Sequence, residues 1–99
     1  MVIKSPKAMT VADCFTLEQL PNIGPAMAQD LRSIGIETPQ ALAQADAFQL
    51  YRKLCETTGV RQDPCVLDTF LAVTDFARGA PAAPWWAYTA LRKATFGSI

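Results

Sequence analysis

The segment LEQLPNIGPAMAQDL (residues 17–31) places a proline and a glycine between two runs of helix-forming residues. Thr16 and Gln19 match a capping box, which predicts a short helix over residues 17–20. The proline ends that helix, and Gly24–Pro25 begins a second one, because proline is favourable at the first helical position. The segment therefore predicts a tight turn between two helices.

Further caps and stops along the chain predict more helices. Gly35 and Gly59 each follow an apolar periodic stretch, at the position where a helix commonly ends in the left-handed conformation. Asp46 and Asp63 are typical N-cap residues for the helices that follow them. The predicted helices cover residues 25–34, 39–44, 47–57 and 64–78, with a last one from about Pro84. The sequence thus predicts an all-α fold with five short helices and a C-terminal helix, in which two helix pairs flank a short connector.

Composition limits the classes of protein that this chain can represent. Its 99 residues, 51% of them hydrophobic, suit one domain over residues 10–99 behind a flexible N-terminus at residues 1–9. No apolar run approaches the roughly 18 residues of a membrane span, so we predict no signal peptide or membrane contact and a cytoplasmic protein. The chain has three cysteines and no histidine, which argues against a disulfide framework and a zinc site. We predict no metal and no cofactor.

Three stretches carry a resemblance to a known family. They are LPNIGPAMAQDLRSIGIETPQAL, LYRKLCETTGVRQDPCVLDTF and PWWAYT, which lie within residues 15–93. Together they resemble the small bacterial pathogenicity-locus family of helix-hairpin-helix proteins, some of which are labelled mitomycin-resistance-like. The resemblance implies a doubled helix-hairpin-helix, SAM-like core of five helices. The common motif has glycine on both sides of the central aliphatic residue, whereas this chain has Asn22 at the first place and Gly24 at the second.

The two turns are candidate contacts for the phosphates of a nucleic acid. A helix N-terminus carries free N–H groups and a partial positive charge, and it can hold an anion. The predicted contacts are Asn22, Ile23 and Gly24 in the first turn, Thr58, Gly59 and Arg61 in the second, and Arg52 and Lys53 beside it. Such contacts would bind double-stranded DNA weakly and without reading its sequence.

Several features favour a plainer interpretation of these turns. The formal net charge is zero, whereas nonspecific nucleic-acid binders usually carry a basic excess or patch. Pro25 has no N–H to offer, and the carboxylate of Asp63 occupies the cap of the helix after the second turn. On this view the first turn only packs apolar side chains into the core, and the basic residues lie in solvent. The core side chains predicted for the first turn are Leu20, Ile23, Leu31 and Ile34.

The C-terminal aromatic residues suggest a different role. We expect one of Trp85 and Trp86 to seal the core and the other to lie partly exposed. Exposed aromatic side chains are enriched at protein interfaces, so Trp86 and Tyr88 are candidate contacts for a protein partner or a second copy of the chain. Stacking of these rings on nucleic-acid bases would need a basic groove, and the local charge is low.

Catalytic residues are not indicated by the pattern of polar side chains. The chain has no histidine to act as a general base and no glycine-rich nucleotide loop. Asp68 and Asp75, seven residues apart, are expected on the exposed side of the fifth helix. We therefore expect a non-catalytic binding module, with weak DNA binding as the first interpretation and a protein-interaction or scaffold module as the alternative.

Overall fold

The structure is a computed structural model that describes residues 9–97. Its helices begin and end close to the capping residues that the sequence indicated. Four α-helices form: α1 (Pro25–Ser33), α2 (Ala47–Thr58), α3 (Pro64–Ala77) and α4 (Thr89–Phe96). Short 3-10 helices lie at Val11–Asp13, Leu17–Gln19, Pro39–Gln44 and Trp85–Tyr88. The predicted all-α fold is confirmed for the described range, which contains no strand. The helix-hairpin-helix arrangement and the domain over residues 10–99 stay predictions. The flexible N-terminus predicted at residues 1–9 lies outside the described range except for residue 9.

Side-chain caps fix where the longer helices begin. Asp46 accepts a hydrogen bond from the backbone N–H of Gln49 at 2.9 Å, and Asp63 accepts one from Cys65 at 2.9 Å. Gly59 ends α2 in the left-handed conformation, with φ 69°, as its position after the apolar pattern predicted. The predicted helix at 39–44 is a 3-10 helix, a form that is frequent in connectors.

Helix α3 runs through the middle of the fold. It contacts α2, the 3-10 helix at Pro39–Gln44 and the segment at Trp85–Tyr88. Its apolar side chains recur at helical spacing, and Leu67, Phe70 and Val73 among them are fully buried. Phe70 and Phe76 are the largest fully buried side chains of the described residues.

The expectation for Asp68 is wrong. Its side chain is fully buried, and Asp75 is half-buried, so neither lies on an exposed flank of α3. The prediction assumed that one side of α3 faces solvent. The C-terminal segment covers that side instead, and the polar residues on it become internal contacts.

Arg78 joins the end of α3 to the connector. Its Nε donates to the carbonyl oxygen of Ala43 at 3.0 Å, and its guanidinium also donates to the carbonyl of Ala45. These carbonyls lie at the end of a 3-10 helix, where backbone acceptors lack helical partners.

Over residues 9–97 no helix has both the length and the apolar character needed to cross a membrane.

Candidate functional site

The first turn, residues 20–24, is half inside the core and half open. Ile23 is fully buried, whereas Gly24 is exposed. Asn22 has φ 69°, the left-handed conformation that its place before the central aliphatic residue requires. Asparagine is among the non-glycine residues that adopt this conformation most readily. The core packing predicted for this turn is confirmed, since Leu20, Ile23, Leu31 and Ile34 are all buried.

The backbone donors of this turn differ from those that the sequence indicated. The N–H of Ile23 donates to the carbonyl of Leu20 at 3.2 Å, so it is already engaged. The first helical bond of α1 runs from the N–H of Ala28 to the carbonyl of Gly24 at 2.9 Å. Pro25 has no N–H. In the first turn of α1, helix geometry therefore leaves the N–H groups of Ala26 and Met27 without an acceptor inside the helix. Met27 was not among the residues that the sequence indicated.

The second turn, residues 58–63, uses many of its polar groups internally. The Thr58 hydroxyl donates to the carbonyl of Leu54 at 2.8 Å and accepts from the side-chain amide of Gln62 at 3.1 Å. The N–H of Cys65 donates to Asp63, which lowers the pKa of that carboxyl. The N-terminus of α3 is therefore occupied by a carboxylate, as the sequence indicated. Gly59 and Arg61 are exposed.

Lys53, one of the predicted basic contacts, lies away from the first turn. The ammonium group of Lys53 lies beside Gly35, 3.8 Å from the position that a Cβ atom would take there. Gly35 follows the C-terminal end of α1, about 15 Å along the helix axis from Gly24. A cation is favourable at that end of a helix dipole. Burial raises the pKa of the Tyr51 phenol. Arg61 interacts with the hydroxyl of Tyr51 and acts in the opposite direction on that pKa.

The C-terminal aromatic segment, defined as residues 83–96, presents one tryptophan to solvent. Trp86 is 64% exposed, and its ring meets that of Trp85 edge-on, with 5.6 Å between the ring centroids. The expectation of one exposed ring is confirmed, but Trp85 is only half-buried and does not belong to the core. Burial raises the pKa of the half-buried Tyr88, and its interaction with the carboxylate of Asp75 raises it further.

A buried ion pair fixes this segment to α3. The carboxylate of Asp68 accepts a hydrogen bond from Nε of Arg92 at 2.8 Å and another from the hydroxyl of Thr89 at 2.8 Å. The Arg92 side chain is 12% exposed, so the pair lies largely out of water. Sequence reasoning missed this cluster, because the partners are more than 20 residues apart and belong to different helices.

The opposite end of the segment is fixed to the first turn. The side-chain amide of Asn22 donates to the carbonyl oxygen of Ala83 at 2.8 Å, and the N–H of Trp85 donates back to the side-chain oxygen of Asn22 at 3.3 Å. The stacked rings of Phe48 and Phe96, with centroids 4.7 Å apart, join the end of α4 to α2. The first turn and the aromatic segment are therefore neighbours in space.

Clusters that could hold a metal ion were sought among the histidine, cysteine, aspartate and glutamate residues. In the range 9–97 no three such side chains lie close enough together to form one.

Cys14 is buried and Cys55 and Cys65 are half-buried. Burial raises the pKa of the Cys65 thiol, and the neighbouring Asp63 raises it further, which disfavours the reactive thiolate.

Comparison with known proteins identifies relatives over most of the chain. The model of the pathogenicity locus (Cdd1) family matches residues 10–94. The mitomycin resistance protein McrB of Streptomyces lavendulae is 41% identical over 85 residues, which cover 86% of this chain and 81% of that protein. No solved structure matches. The match includes all three stretches whose joint occurrence pointed to this family, and the chain therefore belongs to the pathogenicity locus family.

Proposed function

We propose that this chain is a small, non-catalytic binding module of the cytoplasm that contacts a protein through the C-terminal aromatic segment. The observation that carries the proposal is the position of Trp86. A large aromatic side chain is 64% exposed on a segment that is itself held firmly in place. Tryptophan is among the residues that contribute most to binding energy at protein interfaces.

The contacts around Trp86 make its position well defined before any partner binds. The segment is held at one end by Asn22 and further along by Asp68, through four side-chain hydrogen bonds of 3.3 Å or less. Binding orders side chains and loops at a cost in entropy, and a pre-ordered surface avoids part of that cost. An exposed tryptophan on this segment is therefore better suited to recognition than one on a loose loop.

The residues near Trp86 extend it into an apolar surface. Ala87, Leu91 and Ala94 are exposed and recur at spacings of four and three, which places them on one side of the helical segment. Ala90, four residues after Trp86, is exposed as well. The small alanine side chains let another backbone approach closely. This surface suits a helix or a short apolar stretch of a partner better than it suits a flat, polar partner surface.

Replacement of Trp86 with alanine tests the proposal. We expect W86A to weaken binding by about 30-fold or more, the loss typical of a central interface residue, with little change in thermal stability. Sedimentation velocity over a range of protein concentrations measures self-association, and tagged protein in lysate of the source bacterium captures other partners.

Phe15 offers a matched control for this experiment. It is an aromatic side chain that is 86% exposed on a different segment, so F15A removes a similar apolar area elsewhere. A partner whose capture depends on Trp86 but not on Phe15, and whose purified form binds with that loss of affinity, supports the proposal. If wild-type protein is strictly monomeric and every captured protein binds W86A equally well, the proposal fails.

A second candidate function is weak, sequence-independent binding to double-stranded DNA through the predicted helix-hairpin-helix turns. The exposure of Gly24 favours it. This glycine has φ −96°, which any residue can adopt, and a Cβ atom there would meet nothing within 4 Å. The fold itself therefore tolerates a side chain at this position, while the bare backbone leaves the Ala26 and Met27 amides open to a phosphate.

A titration with duplex DNA tests the second candidate. At low salt we expect shifts of the amide resonances of Gly24, Ala26 and Met27, with a salt slope of about −2 to −4 for two to four phosphates. G24A keeps the fold but places a methyl group in the approach path, so it is expected to reduce these shifts. Arg32→Ala, whose guanidinium pairs with Glu18 at 2.8 Å, is the control and should leave them unchanged. Absence of any shift at low salt and millimolar DNA excludes this candidate.

A further inference from the structure

We propose that Asn22 is a positioning residue that holds the Trp86-bearing segment against the first turn. The inference rests on the proposed function, because it assigns to Asn22 the task of presenting the contact surface. It also makes the first turn and the aromatic segment one mechanically joined unit. A displacement of the turn then moves the segment with it.

The hydrogen bonds of Asn22 are reciprocal and long-range in sequence. Its Nδ2 donates to the carbonyl oxygen of Ala83 at 2.8 Å, and its Oδ1 accepts from the N–H of Trp85 at 3.3 Å. The amide nitrogen and the amide oxygen of one side chain thus both bond to the same stretch of backbone, 61 and 63 residues further along the chain. The residue that follows this bonded stretch is Trp86.

The backbone conformation at position 22 does not require asparagine. Its φ of 69° lies in the region where glycine is favoured and other residues are strained. A glycine would serve the turn at least as well. The asparagine side chain therefore contributes something other than the turn, and its two bonds to residues 83 and 85 are that contribution.

The remaining attachments explain why this contact matters for the position of the segment. No residue of the 3-10 helix Trp85–Tyr88 or of α4 is fully buried, so polar contacts act together with packing to fix the segment. Asp68 holds the middle of it through Thr89 and Arg92. Asn22 holds the beginning, directly before the exposed ring.

Asn22→Gly separates the two roles of this residue. It preserves the left-handed backbone and removes both side-chain bonds, so cooperative unfolding should persist. We expect hydrogen exchange of the Trp85 amide to become at least about fivefold faster, the ratio for loss of one hydrogen bond. The indole N–H of Trp86, assigned with W86F, should show increased motion in NMR relaxation. Val60→Ala, at an exposed site on another turn, is the control and should change neither measurement.

Asn22→Asp provides a second test that does not depend on glycine. It keeps an acceptor for the Trp85 N–H but faces the Ala83 carbonyl with an oxygen in place of a donor. Motion of Trp86 should increase, whereas the exchange of the Trp85 amide should change less than in N22G. Unchanged exchange and unchanged indole relaxation in a folded N22G, or unchanged indole relaxation in N22D if N22G does not fold, overturn the proposal.

These measurements use the free protein and need no partner. A failure of the binding proposal in the W86A experiment therefore leaves them interpretable. Conversely, if the segment stays rigid in N22G, the role of Asn22 is rejected while Trp86 remains a candidate contact.

Discussion

Asp68→Ala is expected to lower the free energy of unfolding by about 3 kcal/mol, because it leaves a largely buried guanidinium without its partner. Asp68 is fully buried and accepts hydrogen bonds from Arg92 and Thr89, both at 2.8 Å. The alanine cannot accept either bond, and a buried unpaired charge costs much more than a lost surface contact. Urea denaturation followed by circular dichroism measures this loss.

The double variant Asp68→Ala/Arg92→Met isolates the ion pair. Replacing both charged groups with apolar ones removes the unpaired charge, so much of the lost stability should return. The surface pair of Glu18 and Arg32 has the same 2.8 Å separation and serves as a control. Glu18→Ala should cost less than about 1 kcal/mol, because water screens exposed pairs. A loss in Asp68→Ala as small as that in Glu18→Ala would show that Arg92 escapes to solvent and that the pair does not hold the segment.

The Asp68 experiment also bears on the position of Trp86. Arg92 and Thr89 belong to α4, so loss of Asp68 weakens the attachment of the whole aromatic segment to α3. The double variant restores stability without restoring the polar contacts. If partner binding returns together with stability, packing alone orients Trp86. If stability returns and binding does not, the bonds to Asp68 set its orientation.

The helices could be predicted from the sequence because their limits depend on nearby residues. Asp46, Asp63 and Gly59 act within a few positions of themselves, and the structure places each at the helix end that it predicted. The sequence of α3 contains an apolar face for the same reason. Its spacing follows the helical period directly.

The contacts around the candidate site depend on which helices meet, and no local pattern contains that information. Asp68 resembled a surface residue because its partner, Arg92, comes 24 positions later on another helix. Asn22 was predicted as a phosphate contact at the first place of the turn motif, and its bonds to residues 83 and 85 were not foreseen, because they span more than 60 positions. Lys53 was grouped with the second turn by sequence distance, whereas its ammonium lies at the end of α1.

Ile23→Ala is expected to lower the free energy of unfolding by about 3 kcal/mol, within the range of roughly 2–5 kcal/mol for such truncations. Ile23 is fully buried and belongs to the same core cluster as Leu20 and Leu31, although it lies at the centre of a turn. The lost side chain leaves a cavity that the turn cannot easily close, because hydrogen bonds hold the backbone on either side. They join Asn22 to residues 83 and 85, and the N–H of Ala28 to the carbonyl of Gly24. Urea denaturation of the purified variant measures the change.

Two further variants show whether this loss reflects packing of the turn. Ile23→Val removes one methylene and should cost about 1 kcal/mol, whereas the exposed Val60→Ala should change stability by less than about 0.5 kcal/mol.

Because Ile23 contributes its side chain to the core and its N–H to Leu20, its predicted role in DNA binding could act only through the shape of the turn. Ile23→Val should therefore leave any shift at Gly24 intact. A stable Ile23→Ala protein would mean that the turn is not anchored in the core, and the rigid placement of both Gly24 and Asn22 would then lose its foundation.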